Sequence, residues 1–282
     1  MSGLKIFGRL SATTCLVGIL VLASSMLSAP ASAKTSSVGG LYNISIAGFT
    51  VGRGSLSLAL QGNAYSAKVS IEPAGVGTLF TTGKGGAEAS GWLVGSKVVP
   101  SNYQMASHAA DRDFYVALKQ GSGHIRKMEV TPQFKPNKER IKITGKHRKN
   151  AMDPLSAALM PVRSGKEALG PEACKRKLPI FDGWTRFDIK LSYKGTREVS
   201  GKGYDGPVVV CKAQWVPVAG HRPSKASVKH MAKASMEAWF APAGRDDVLI
   251  PYRISIDTTT GRLVVQASKL KIDGSDQDRA AR

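Results

Sequence analysis

Apolar and polar residues alternate along most of this chain, and turn residues interrupt the pattern at intervals of about 8–12 positions, which constrains the fold more than any other feature. Tyr42, Ile44 and Ile46 alternate with small or polar residues. Leu56, Leu58 and Leu60 repeat the rule, and Gln61-Gly62-Asn63 turns the chain into a run in which Tyr65, Ala67, Val69 and Ile71 share a face. Two such runs about a short polar loop read as a hairpin. Ala87–Val94 and Val98–Ser107 follow about Gly95-Ser96-Lys97, then Phe114–Lys119 and Ile125–Thr131 about Gly121-Ser122-Gly123. In Arg186–Tyr193 the apolar Phe187, Ile189 and Leu191 oppose Arg186, Asp188 and Lys190, as in an antiparallel strand with one wet face. Val208–Val216, Met236–Ala241, Leu249–Asp257 and Leu263–Ile272 complete the series. That makes about eleven or twelve strands, not separated by amphipathic helices, so a parallel sheet is disfavoured. The predicted fold is all-β: a long antiparallel meander forming a strongly curved sheet or barrel, with one or two short helices. Alternation is the same in a closed barrel and an open curved sheet.

The exceptions are few. Asp153-Pro154 is an N-cap followed by proline at the first helical position, and Leu155, Ala158 and Leu159 share a face before Pro161; this predicts about two helical turns. A weaker helical case is Ala74–Thr82, and the proline-broken, basic Gly220–Lys233 reads as a long loop. Strand patterning lapses and charge rises over Thr131–Asp153, a seam between domains or between two half-sheets, where Ile141 and Ile143 suggest a strand with outward lysines. Residues 34–273 are expected to form a single β-rich domain, with 274–282 a polar tail.

The first 33 residues speak to compartment. Lys5 and Arg9 precede a largely apolar run, Leu10–Leu27, and Ala31-Ser32-Ala33 is a small-x-small cleavage site, the order of a secretory signal peptide. Of 282 residues, its removal leaves 249, enough for one large all-β domain. Cys15 leaves with the leader, so Cys174 and Cys211 remain, and two cysteines in an oxidising compartment are most simply one disulfide. Of 40 Lys and Arg, 38 remain against 20 acidic residues, so the net charge falls only from +20 to +18. Such an excess attracts polyanions, and export makes nucleic acid the least available of them.

Candidate chemistry follows the charge. Lys135, Lys138, Arg140, Lys142, Lys146, Arg148 and Lys149 lie within fifteen residues that contain one acid, Glu139. Arg222, Lys225, Lys229 and Lys233 form a second basic stretch with His221 and His230, whose spacing matches no metal-ligand pattern. Lys138, Arg140, Lys142, Arg222 and Lys225 are the predicted anion-binding residues; poor aromatic interleaving argues against nucleic acid. The alternative for both stretches is a solvated surface. The nucleophile-elbow, zincin and phosphate-loop motifs are absent. Asp111 and Asp113, flanking Arg112 beside His108, are the nearest approach to an acid–base group, and they fall where aspartates commonly bond turn backbone. Gly83-Lys84-Gly85-Gly86 has no following helix pattern. No catalytic residue, cofactor or metal is assigned.

Three stretches carry a family resemblance: Met152-Asp153-Pro154-Leu155-Ser156-Ala157-Ala158-Leu159, Cys211-Lys212-Ala213-Gln214-Trp215-Val216-Pro217-Val218-Ala219-Gly220-His221-Arg222-Pro223, and Glu237-Ala238-Trp239-Phe240-Ala241-Pro242 with Leu249-Ile250-Pro251-Tyr252-Arg253-Ile254. Over roughly Leu41–Ile272 the chain resembles the exported bacterial family catalogued as domain of unknown function 3108, in a form like those of α-proteobacteria. The resemblance implies an exported all-β protein with a curved sheet or barrel around an internal groove, and supplies no catalytic residues. The functional expectation is a non-enzymatic periplasmic protein of cell-envelope maintenance, binding an amphipathic or anionic component such as anionic lipid or acidic glycan. The alternatives are a periplasmic scaffold for another envelope protein and a hydrolase whose site is not evident. The leader generates the first prediction: the exported protein has an intact mass corresponding to a chain starting near Lys34. Recovery of the full precursor mass from the membrane fraction would overturn that expectation.

Overall fold

The computed structural model describes residues 35–109, 111–165, 167–201 and 204–273. The expected leader and the expected polar tail lie outside the described residues. Seven strands lie side by side in chain order: β1 (Thr35–Ile46), β2 (Phe49–Gln61), β3 (Ala64–Pro73), β4 (Lys84–Val94), β5 (Lys97–Ala109), β6 (Arg112–Gly121) and β7 (His124–Thr131). A linker and the two-residue β8 (Met160–Pro161) follow. The second run is β9 (Arg176–Phe181), β10 (Arg186–Val199), β11 (Gly206–Ala219), β12 (Met236–Pro242), β13 (Val248–Thr258) and β14 (Gly261–Asp273). β1 pairs with β14, so one antiparallel path runs from β7 through β1 and β14 to β9.

This is the predicted meander, curved but unclosed: β7 and β9 are the two ends of the path and do not pair with each other. Seven register shifts, among them those at Leu41/Tyr42, Ser90/Gly91 and Trp239/Phe240, bend the strands. Gly91 is required at its bulge, because a Cβ there would sit 2.3 Å from the Val99 carbonyl oxygen and 2.9 Å from the Tyr65 hydroxyl. Consecutive antiparallel strands reverse direction, so the connections alternate between two ends. The lower end carries the turns after β1, β3, β5, β9 and β13 and the exits of β7 and β11. The upper end carries the turns after β2, β4, β6, β10 and β12.

The gap between the edges is occupied by the linker. Lys149 bridges to His124 on β7, and the Ala151 amide donates to Gly123 O at 3.2 Å. The Met152 amide donates to Pro179 O at 2.9 Å, and the Phe181 amide returns a bond to Met152 O at 2.8 Å. A few residues thus satisfy backbone groups of both unpaired edges. The chain then enters the interior, where Leu155 and Leu159 pack with Leu58, Leu60, Val116 and Leu118 of β2 and β6 and with Phe181. Each such buried side chain stabilises the fold by roughly 1.5–3 kcal/mol. The expected internal groove is therefore filled by the protein's own residues.

Four local expectations are corrected. The helix expected after Asp153-Pro154 is only a 3-10 turn, Ser156–Ala158, because the segment is fitted into the core and must re-emerge as β8. Ala74–Thr82 likewise holds a 3-10 turn, Gly75–Leu79. Ala226–Lys233, expected to be loop, is a helix of 8 residues, α2, beginning beyond Pro223. Ile141 and Ile143 lie outside any strand. The Cys174–Cys211 bond is present, with Cα atoms 5.5 Å apart; it ties the short helix α1 (Pro171–Cys174) to β11 within a cluster that includes Leu191, Val209, Phe240 and Leu249. The loop it closes spans a separation of 37 residues. Replacing both cysteines by Ala is expected to cost about 3–4 kcal/mol in urea unfolding, and thiol labelling of the unreduced, denatured protein should find no free cysteine.

Candidate functional site

The two basic segments, 80 residues apart in sequence, meet at the lower end. Gly220 N donates to Ile141 O at 2.8 Å and Ile141 N to His221 O at 3.0 Å. Arg140 crosses the junction, donating to Gly220 O at 2.6 Å with its guanidinium 3.9 Å from the centre of the Phe134 ring. Ser224 donates to Glu139 at 2.6 Å. Arg140 is therefore a bracing side chain, while Lys138, Lys142 and Lys225 are exposed and Arg222 is half-buried. Nearby, His221 lies edge-on to Trp215 at 4.8 Å and close to Phe187; desolvation holds its pKa below the usual imidazole range. His230 bonds the Asp257 carbonyl.

Of the acid–base candidates, His108 and Asp113 come together and Asp111 stands apart. His108 and Asp113 are cross-strand partners on β5 and β6, bonded at 2.8 Å on an exposed face, and Asp111 occupies a left-handed turn position. Lys84-Gly85-Gly86 runs into β4 rather than a helix. Among the described residues there is no group of three or more His, Cys, Asp or Glu able to hold a metal, and no helix long and apolar enough to cross a membrane.

A concavity at the seam was not legible in the sequence. A cleft of about 680 Å³ opens at the upper end of the seam, where the β4–β5 turn, the linker, the segment after β8, α1 and the start of β9 converge. Val98, Leu159, Val162 and Leu178 contribute apolar lining, while the exposed cations Lys97, Arg163, Lys175 and Lys177 stand around it with Glu167 and Glu172. Lys175 lies 3.6 Å from Glu172, and Lys177 pairs at 2.8 Å with Asp188, itself held by Arg186. No ion pair engages Lys97 or Arg163 among the described residues. Arg176 turns inward and donates to the carbonyls of Pro161 and Ala173, which fixes one wall; desolvation lowers its pKa. The arrangement offers an apolar surface to a chain and a positive lip to an anionic head.

Beneath the linker lies a buried polar hub, also missed except for Asp153 as a cap. Asp153 accepts from the Ser156 amide at 2.8 Å, the Ser156 hydroxyl at 2.6 Å and Gln120 Nε2 at 2.8 Å, and Ser156 Oγ lies 2.6 Å from the Tyr65 hydroxyl. Burial pushes the Asp153 carboxyl pKa up, and the hydrogen bonds only partly offset it. The hub joins β3, β6 and the linker, and its acid is sealed from solvent.

An open, strongly curved antiparallel sheet with a basic-lipped cleft at its seam is the class of molecule these observations define. The chain belongs to the family described as protein of unknown function DUF3108, whose model matches residues 41–268. A β-barrel-like protein of domain of unknown function DUF1849 from Brucella abortus is structurally similar, with a TM-score of 0.50 at 10% identity over 84% of this chain and 97% of that one. Hypothetical protein CT021 from Chlamydia trachomatis gives 0.30 at 12% identity, covering 82% and 86%. No curated protein matches the chain. The likeness to the Brucella protein concerns fold alone.

The hub has a pH signature. A carboxyl whose folded pKa is raised binds more protons folded than unfolded, so stability falls as pH rises from the unfolded value through the folded one. Asp153→Asn should remove that contribution. Urea midpoints of the two proteins should diverge in favour of the Asp153→Asn variant as pH rises from about 4 toward neutrality; parallel curves would show that Asp153 does not titrate abnormally.

Proposed function

We propose that this is a non-enzymatic periplasmic protein of cell-envelope maintenance that binds an anionic amphiphile in the seam cleft. The observation that carries the reading is the combination there of apolar wall and basic lip, in a volume suited to a small molecule or an acyl chain rather than a macromolecule. The filled interior directs a ligand to the seam, and the disulfide fits an oxidising compartment. The ligand's head would meet Lys97 and Arg163, and its tail the side chains of Val98, Val162 and Leu178.

A fluorescent long-chain carboxylate is a direct probe. The wild-type protein should bind it, and Lys97→Ser with Arg163→Ser should weaken binding about tenfold if each cation contributes about 0.7 kcal/mol. Equal affinity for an uncharged analogue of the same tail, or no binding at all, would sink the proposal. Mass spectrometry of the protein purified from its own envelope should show an acidic lipid lost in the double variant.

A further inference from the structure

The lower end of the sheet is apolar and basic at once. Seven of the 11 exposed large hydrophobic residues among those described lie there: Phe49, Ile71, Val76, Leu79, Phe80, Phe134 and Ile141. Leu79 and Phe80 are adjacent, 79% and 83% exposed, on the turn between β3 and β4, and Phe49 opens β2 beside that turn at 64%. The turn is held in place. Ala74 N donates to Val51 O at 3.2 Å, and a Cβ at Gly77 would fall 1.8 Å from that same carbonyl oxygen, so only glycine permits such close seating on β2. The two side chains are thus presented outward by a fixed support. No acid occurs from Pro73 to Lys84.

Around the same end run the two basic segments that bond to each other, with exposed Lys135, Lys138, Lys225 and Lys229. Several acids of this end are engaged: Glu139 by Ser224, Asp257 by Arg262 and Asp182 by its own turn amides. Asp111 and Glu72 remain exposed. We propose that this end is a docking rim for an anionic lipid bilayer, with Leu79, Phe80 and Phe49 entering the acyl boundary while the lysines meet headgroups. Charge complementarity selects that occupant. A second copy would bring like-charged rims together, whereas an anionic bilayer offers both a depth of hydrocarbon and a negative plane. The rim is at the opposite end of the strands from the cleft, and the proposal stands whether or not the cleft binds an amphiphile.

The test is flotation of the purified protein with phosphatidylglycerol vesicles, with phosphatidylcholine vesicles as the neutral reference. Binding should favour the anionic vesicles and weaken as salt rises toward about 0.5 M. Leu79→Ser with Phe80→Ser should lower the partition coefficient at fixed salt at least about tenfold. Lys138→Ser with Lys225→Ser should lower it by a factor of about 5 per residue at low salt. Trp92→Ser, which removes a 51%-exposed aromatic from the opposite end, should leave it unchanged. All the substituted side chains are solvent-exposed, and matched thermal unfolding certifies folding. Absence of wild-type binding to phosphatidylglycerol overturns the proposal, as does an unchanged partition for the Leu79/Phe80 variant. So does sedimentation showing a dimer that those two substitutions dissolve while vesicle affinity stays the same. Absence of carboxylate-probe binding by the wild-type protein with intact phosphatidylglycerol binding is failure of the cleft alone, and the reverse pattern is failure of the rim alone.

Discussion

Ten cross-strand pairs between Ser37–Ile46 and Leu263–Asp273 join the two ends of the described chain, and the remainder of the architecture depends on them. Without that ladder the molecule is two meanders, each with two unpaired edges inviting aggregation. With it, only β7 and β9 are left exposed. The joint is reinforced across the same distance in sequence: Ser36 donates to Ala243 O at 2.7 Å and Tyr42 to Pro251 O at 2.8 Å. Leu270 and Ile272 of β14 pack against the cluster that holds Val38, Leu58 and Leu60.

Once β1 and β14 are joined, the remaining edges must be satisfied, and the linker does so with a handful of backbone bonds rather than a strand. That solution demands a sharp, buried change of direction at Asp153. The carboxylate caps the turn and recruits Gln120 and Ser156, which in turn meets Tyr65, at the expense of a charge taken from water. The same turn places Leu155 and Leu159 inside and carries the chain on to the buried β8 against β13, so the space available to a ligand moves from the concave face to the cleft at the seam.

The alternation of β2 and β3 was readable because each strand buries one face only; Leu58, Leu60, Tyr65 and Ala67 sit on the face the pattern predicts, while Ile71 near the end of β3 is exposed. β9 was missed because Arg176-Lys177-Leu178-Pro179-Ile180-Phe181 is short, begins with two cations and contains Pro179, which is tolerated there at the end of the sheet path. Its signal was the apolar run Leu178–Phe181 around the proline. α2 was hidden by Pro223 and a lysine-rich composition, although proline shortly before a helix is permissible. The cleft drew its walls from five separated segments, and the meeting of Ile141 with Gly220 is a contact between distant loops; neither has a local pattern. Lys97 and Arg163 were unremarkable as isolated surface cations, and only their convergence distinguishes them.

The seam has a mechanical consequence. A tube slit along its length resists twisting and gaping far less than a closed one, because shear is no longer carried around the full circumference. Here the slit is stitched by the backbone bonds of Lys149–Met152 and, toward the lower end, by Trp184 donating to Pro132 O at 2.8 Å, whereas every other boundary between neighbouring strands on the path is a strand ladder. A parting of β7 from β9 would leave every strand ladder of the path intact and would change the width of the cleft set into that same line.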